Sequence, residues 1–230
     1  MGAKIIAIGN LKGGTGKSTL AVNLACALGS AAKTKAVLVD ADSQGTAMEW
    51  AARGRLPVAV EAMPFEPDPT PAPGAASNAA RADGAWLQAV NGLAASHDFV
   101  VVDLPPHLGT SIVLALVAAD LFVVPVTPSG ADIKATTKAI DLLRQARSVR
   151  GNGRPNCLLV PSRVDRRTAA GKEIEAVLHD FGEPVAPAVG QRSAHVDAFT
   201  AGEWIGTYAP RTSAHDEIQA LTAIIRRARA

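Results

Sequence analysis

Eight consecutive residues near the amino terminus combine glycines, lysines and hydroxyl side chains in a pattern that suits phosphate. They are Lys12, Gly13, Gly14, Thr15, Gly16, Lys17, Ser18 and Thr19. The glycines let successive backbone N–H groups point inward at phosphate oxygens, and a helix beginning near Lys17 turns its positive end toward the same anion. Lys17 would reach the β and γ phosphates, and the Ser18 hydroxyl would ligate magnesium. The segment therefore predicts a phosphate-binding loop.

The spacing of this loop departs from the usual G-x-x-x-x-G-K-[ST] pattern in its first half. Leu11 stands where the first glycine is expected, and an additional lysine, Lys12, follows it. The second half, from Gly16 to Ser18, fits the pattern fully. We expect a P-loop that carries one additional lysine.

Two apolar runs end in carboxylates that could complete the site. Residues 99–103, Phe-Val-Val-Val-Asp, predict a buried strand that ends in Asp103, as the magnesium-supporting aspartate of a P-loop enzyme must. The run 36–39 is followed by Asp40 and Asp42. A carboxylate there could orient an attacking water. Taken singly, each aspartate also fits solvation or helix capping.

The surrounding sequence alternates short apolar runs with helical patterns. Continuous apolar runs indicate strands that are covered on both faces, and their alternation with helices favours a parallel sheet. We therefore expect an α/β fold, a mostly parallel sheet with helices on both faces. The predicted strands are 4–8, 36–40, 99–103, 121–126 and 157–160, and the predicted helices are 18–28, 84–96, 110–119, 133–150 and 213–228.

One segment interrupts the alternation. Residues 64–84 contain five prolines and no apolar periodicity, which predicts a Pro/Ala-rich loop excursion inside a single domain of residues 1–230.

The composition of the chain excludes several classes of protein. A length of 230 residues with 48% hydrophobic residues and a formal charge of +2 is unlike a disordered chain. No apolar stretch approaches the roughly 18 residues of a membrane-spanning helix. The two cysteines, Cys26 and Cys157, are too few for a disulfide framework or a four-cysteine zinc site. We expect a cytoplasmic protein with reduced thiols.

The combination of motifs resembles the deviant Walker A ATPases of the ParA/MinD family. The resemblance rests on KGGTGKST with Lys12, DADSQ at 40–44 and VVVDLPP at 100–106, and it runs over nearly the whole chain. VPVTPSGAD at 124–132 and Gly190-Gln191-Arg192 further resemble small ParA proteins of the ParF and McdA types. The resemblance implies a SIMIBI-like P-loop fold with ATP and Mg²⁺ as ligands. Ser43 departs mildly from relatives that carry proline there.

The resemblance also implies a role for each matching residue. Lys12 would be the signature lysine, which reaches a partner subunit's nucleotide across a homodimer interface. Lys17 would bind phosphate in its own subunit, and Ser18 would ligate magnesium with Asp103 in support. Asp42 would position the hydrolytic water. Asp40 would sit near the metal.

Two further contacts follow from the family rather than from the residues. Arg163, in the turn Ser162-Arg163-Val164-Asp165, would contact adenine, although the residues alone fit equally a surface turn with an incidental ion pair. Non-specific DNA binding by the ATP-bound dimer would use basic residues near the carboxyl terminus, and such contacts depend strongly on salt. The candidates are Arg192, Arg226, Arg227 and Arg229.

The family implies a slow ATP hydrolase that segregates or positions a cargo on the nucleoid. The cargo could be a plasmid, a chromosome region or a protein organelle, with a ParB-like or other adaptor protein stimulating hydrolysis. A MinD-like membrane-surface ATPase is an alternative, but RRARA at 226–230 offers no large apolar group to lipid, so we expect no membrane partner. An ATP-dependent metabolic or redox enzyme on the same scaffold is the other alternative. An iron–sulfur role is not indicated, since Cys26 and Cys157 fall on predicted core positions.

Overall fold

The computed structural model describes residues 3–65, 76–106 and 110–228, with the side chains of 76–83, 110 and 111 not described. Strands and helices alternate along most of this part of the chain. The strands are β1 (Lys4–Ile8), β2 (Ala36–Asp40), β3 (Ala59–Ala62), β4 (Phe99–Asp103), β5 (Leu121–Val126) and β6 (Asn156–Pro161). The helices are α1 (Lys17–Gly29), α2 (Thr46–Ala51), α3 (Ala76–Ser96), α4 (Thr110–Ala118), α5 (Gly130–Arg150), α6 (Ala169–His179), α7 (Ser193–Ala201), α8 (Ile205–Tyr208) and α9 (Ser213–Arg227).

The six strands form one sheet in the order β3-β2-β4-β1-β5-β6, and every neighbouring pair is parallel. Asp103 at the end of β4 is in register with Asp40 on one side and with Ile8 on the other. The carboxyl ends of β2, β4 and β1 therefore meet at one edge of the sheet, where ligands bind in open α/β sheets. The expected α/β fold is confirmed.

Two apolar cores cover the two faces of the sheet. One core joins alternate strand residues to Trp86, Ile112 and Leu143, which lie on α3, α4 and α5. The other joins the remaining strand residues to α1 and to the carboxyl-terminal helices, with Leu24 and Ile218 among its members. Central strands buried on both faces need apolar residues at every position, which explains their unbroken apolar runs.

The structure corrects the predicted loop at 64–84. Helix α3 begins at Ala76, eight residues before the predicted start at Gly84, so residues 76–84 are helical. The alanines at 76, 79 and 80 are strong helix formers, and they outweigh the polar residues between them. Residues 66–75 lie outside the described part of the chain.

Several elements were not predicted from the sequence. The strand β3 is an edge strand whose residues are mostly exposed, so it lacks the apolar run that marks a buried strand. The helix α2 has only six residues, too few to show a helical period. The helices α6, α7 and α8 were also missed.

Candidate nucleotide site

The loop between β1 and α1 has the backbone of a phosphate cradle. Gly14 and Gly16 adopt φ values of +79° and +90°, which side chains rarely tolerate. A Cβ at Gly16 would also lie 3.0 Å from the Ser162 hydroxyl oxygen. Gly16 precedes α1 without a side-chain cap, so the first-turn N–H groups of α1 remain available to an anion.

The Lys17 side chain lies inside this loop. It is buried, and its Nζ donates a hydrogen bond to the backbone oxygen of Lys12 at 3.0 Å. Burial lowers the pKa of Lys17, while the carboxylates of Asp103 and Asp42 act in the opposite direction. The Lys17 ammonium is therefore held by one loop carbonyl, close to two carboxylates.

Lys12 points away from the interior of the loop. Its ammonium group forms an ion pair with Asp132, in the first turn of α5. The Lys12 side chain is half exposed, whereas that of Asp132 is buried. The two lysines of the motif therefore lie on different sides of the loop.

Asp103 is a buried carboxylate with no hydrogen bond of normal geometry to either oxygen from the described part of the chain. Burial raises its pKa to about 7; the Ser18 hydroxyl lowers it and the nearby Asp40 raises it. An unpartnered buried carboxylate beside a hydroxyl fits a divalent cation, and Mg²⁺ typically takes one or two such ligands together with phosphate oxygens and water. Among the described residues no group of three or more His, Cys, Asp and Glu side chains could hold a metal by itself.

Unlike Asp103, Asp40 accepts a backbone hydrogen bond at each of its two carboxylate oxygens. Its Oδ1 accepts from Asp42 N at 3.2 Å, and its Oδ2 accepts from Met48 N at 2.9 Å. The second bond caps α2, whose own cap residue Gly45 has no side chain. Burial raises the pKa of Asp40, and these backbone donors oppose the rise.

Asp42 borders the same cleft as the P-loop. Its Oδ1 accepts from Gln44 N at 3.0 Å, so the carboxylate closes a tight turn at the cleft wall.

A cleft of about 1090 Å³ runs from the P-loop to the segment 188–193. Arg163 lines this cleft, and its guanidinium donates a hydrogen bond to Gly14 O at 2.8 Å. Its backbone adopts a φ of +52°. Strained backbone of this kind clusters at functional sites. The predicted site residues that line the cleft are Gly13, Gly14, Gly16, Lys17, Ser18, Thr19, Asp42, Arg163 and Arg192. Thr15, also in the P-loop, is buried, and its hydroxyl donates a hydrogen bond to Lys12 O.

The far end of the cleft contains two polar residues that the sequence did not single out. The imidazole of His195 is buried, and neither ring nitrogen has a partner in the described part of the chain. Burial lowers its pKa. The Glu217 carboxylate, from α9, accepts from Gly190 N at 3.0 Å and from the Arg192 guanidinium at 2.6 Å. Only the fold brings these distant segments together, so no local pattern marks them.

The candidate DNA-binding arginines have different environments. Arg192 is held by Glu217 at the cleft. Arg226 donates to the carbonyls of Ala27 and Leu28 at the end of α1. Arg227 is exposed and has no ion pair or hydrogen bond among the described residues. Arg229 lies outside the described part of the chain.

Three observations bear on the alternative hypotheses of a redox enzyme and a membrane-surface ATPase. Cys26 and Cys157 are both buried, and burial raises the pKa of each thiol, as expected of core cysteines. The apolar face of α9, including Ile218 and Leu221, is buried in the core beside α1. Within the described ranges no helix is long and apolar enough to span a bilayer.

Comparisons with known proteins agree with this geometry. Residues 6–203 match the CobQ/CobB/MinD/ParA nucleotide binding domain. The chain is 30% identical over 224 residues to the maintenance of carboxysome distribution protein A of Halothiobacillus neapolitanus, covering 96% of this chain and 95% of that protein. It is 33% identical over 228 residues to the chromosome-partitioning ATPase Soj of Thermus thermophilus, covering 89% and 88%.

Solved structures share the fold at low sequence identity. Apo McdA from Cyanothece superposes with a TM-score of 0.75 at 15% identity, covering 97% of this chain and 99% of that one. The septum site-determining protein MinD of Pyrococcus horikoshii, complexed with Mg-ADP, gives 0.73 at 19% identity, covering 98% and 96%. The phosphate cradle, the acidic strand ends and the matched family domain lead to one conclusion: the chain belongs to the ParA/MinD family of nucleotide-binding ATPases.

Proposed function

We propose that this chain is a slow MgATP hydrolase that forms an ATP-dependent sandwich homodimer, binds DNA non-specifically and positions a cargo. The proposal rests on one observation, the different positions of the two P-loop lysines. Lys17 is buried inside the loop, and Lys12 is half exposed on its outer side. From the outer side Lys12 would reach a second subunit's nucleotide, which would make ATP a bridge between subunits.

Within one subunit we propose a role for each polar side chain of the nucleotide site. The backbone N–H groups of the P-loop and Lys17 would hold the phosphates, and Ser18 with Asp103 would ligate Mg²⁺, which neutralises charge on the phosphates. Asp42, at the cleft wall, would orient the attacking water toward the γ phosphorus. Arg163 would contact the adenine. Because both oxygens of Asp40 receive backbone N–H groups, we assign Asp40 to holding the Asp42 turn rather than to the metal itself.

The relatives favour cargo positioning over metabolism. Among them are two maintenance of carboxysome distribution proteins, and one of these matches nearly its full length. We therefore propose a protein organelle as the cargo, with an adaptor protein that stimulates hydrolysis. Plasmid or chromosome segregation would be indicated instead if the adaptor bound a DNA site.

DNA binding by this chain is proposed to use Arg227, which has no competing partner in the described residues. Arg192 and Arg226 have structural partners, so their contribution would require those contacts to open. A homodimer would present each basic surface twice, which compensates for a formal charge of only +2. Association with the nucleoid would follow from this binding.

The test is binding to random-sequence duplex DNA at near-physiological salt, with ATP or a slowly hydrolysed analogue compared with ADP. We expect binding only in the ATP state, falling steeply with salt. Replacing Arg227 with Ala should weaken binding on every sequence and reduce the salt slope by about 1. Lys138→Ala, at an exposed position on α5, is the matched control. Equal or absent binding with both nucleotides, when nucleotide binding itself is confirmed, would contradict the DNA-binding proposal.

A further inference from the structure

The chain segment that carries Asp42 is held from both sides by backbone hydrogen bonds. On the β4 side, Ala41 N donates to Asp103 O at 3.0 Å. On the other side, Met63 N donates to Asp40 O at 2.9 Å and Phe65 N donates to Ala41 O at 3.2 Å. The position of Asp42 therefore depends on residues 63–65 as well as on the central sheet.

Residues 63–65 are in turn supported by a tryptophan of α3. The indole Nε1 of Trp86 donates to Met63 O at 3.0 Å. The Phe65 ring packs on the indole with a centroid separation of 4.6 Å and an interplanar angle of 34°. Both side chains are only 8% exposed, so this contact is dry and well packed.

The support is needed because the sheet ends just before this segment. Strand β3 stops at Ala62, and most of its residues are exposed. In the described part of the chain β3 is the edge of the sheet, so no strand pairs with its outer side. The Trp86 indole supplies both a hydrogen bond and an apolar surface at the point where the pairing of β2 with β3 ends.

We propose that Trp86 is a positioning residue for ATP hydrolysis, acting through Met63, Phe65 and Ala41 on the Asp42 carboxylate. Trp86 does not line the nucleotide cleft, so its effect on the reaction must pass through this chain of contacts. The inference rests on the role proposed above for Asp42. A displacement of a reacting group by about 1 Å can cost roughly a hundredfold in rate, so a small shift of residues 63–65 would be felt at the water.

The experiment compares Trp86→Phe and Trp86→Ala with the wild-type chain. The phenylalanine variant keeps an apolar ring against Phe65 but removes the N–H donor, and the alanine variant removes both. We expect kcat for phosphate release to fall about threefold to tenfold in the first and more than tenfold in the second. The ATP dissociation constant should change by less than twofold in both, because no phosphate or base contact is altered.

Trp204→Phe is the matched control. Trp204 is as buried as Trp86, at 7% exposure, but it packs in the opposite core against His215. A merely structural effect would lower the melting temperature in either core without lowering kcat per folded molecule. We expect kcat of the Trp204 variant to stay within twofold of wild type.

The variant Asp42→Ala separates failure of the inference from failure of the proposed function. If Asp42→Ala keeps wild-type turnover, Asp42 does not orient the water, and the inference falls with that role. If Asp42→Ala loses turnover while both Trp86 variants keep wild-type kcat, the inference alone is overturned. Single-turnover rates should also show that Trp86→Ala adds no further loss in the Asp42→Ala background, because both act through one carboxylate.

Discussion

The ammonium nitrogen of Lys12 lies 2.5 Å from Oδ1 of Asp132, although the two residues are 120 positions apart. The Lys12 side chain is 42% exposed and that of Asp132 is 3% exposed. The buried carboxylate sits in the first turn of α5, where the helix dipole favours a negative charge and the Ser129 hydroxyl caps the helix. In the proposed dimer, Lys12 would leave this carboxylate to reach phosphates on the second subunit.

Replacing Lys12 with Ala should weaken ATP-dependent dimerisation while leaving ATP binding by the single subunit within a few-fold of wild type. The reason is that Lys17, not Lys12, lies inside the loop. Light scattering after size-exclusion chromatography with a non-hydrolysed ATP analogue measures the dimer, and Lys138→Ala is the control. A dimer unaffected by Lys12→Ala would contradict the contact in trans.

Replacing Asp132 with Asn should have the opposite effect on the dimer. The amide keeps the shape of the side chain but removes the charge that competes for Lys12. Half-exposed ion pairs contribute up to about 1 kcal/mol each, and a homodimer contains two of them, so the dimer dissociation constant should fall by at most about thirtyfold. Analytical ultracentrifugation across a concentration series can resolve that change. A weaker dimer would mean that Asp132 itself supports the interface.

Replacing Asp103 with Asn should stabilise the nucleotide-free, magnesium-free protein at high pH. The folded-state pKa of about 7 lies above the ordinary 3.8, so the folded state keeps a proton that the unfolded state has released. Stability is therefore lost as the pH rises from about 4 to 7, and the full penalty, at most about 4 kcal/mol, applies above that range. Urea unfolding at pH 8 should show the asparagine variant as the more stable protein.

The same comparison at pH 5 should give a smaller difference, because the wild-type carboxyl is then largely protonated. The control is Asp141→Asn, which alters an exposed carboxylate on α5. Equal differences at pH 5 and pH 8 would contradict a raised pKa at Asp103.

Replacing Arg226 with Ala should lower the free energy of unfolding by about 1–2 kcal/mol, near the lower end of the contribution of hydrogen bonds to charged groups, because the arginine is exposed. Its guanidinium donates to Ala27 O at 3.2 Å and to Leu28 O at 2.8 Å, and it lies over the Phe99 ring. Arg227→Ala removes an adjacent, exposed charge and should change stability by less than about 0.5 kcal/mol. Chemical denaturation of the two variants measures the difference; equal stabilities would show that the contacts to α1 contribute nothing.

The central strands could be predicted from the sequence with their bounds. The ranges 4–8, 36–40, 99–103 and 121–126 are apolar almost throughout because helices cover both faces of a parallel sheet. The edge strand β3 could not be found in this way, because an exposed edge needs no apolar run. The start of α3 was placed too late, since the prolines before it outweighed the alanines in our prediction.

The nucleotide site shows the same difference between local features, which the sequence predicts, and long-range contacts, which it does not. The P-loop is a local motif, in which the spacing of glycine, lysine and serine indicates both backbone geometry and ligand chemistry, so the sequence by itself predicted a site at Gly13 to Thr19 and at the acidic strand ends. The partners of these residues are long-range contacts. Lys12 with Asp132, Asp42 with the segment held by Trp86, and Gly190 with Glu217 each join positions far apart in the chain. Only the tertiary structure decided them, because burial and sheet order, which no local spacing records, bring those side chains within reach of one another.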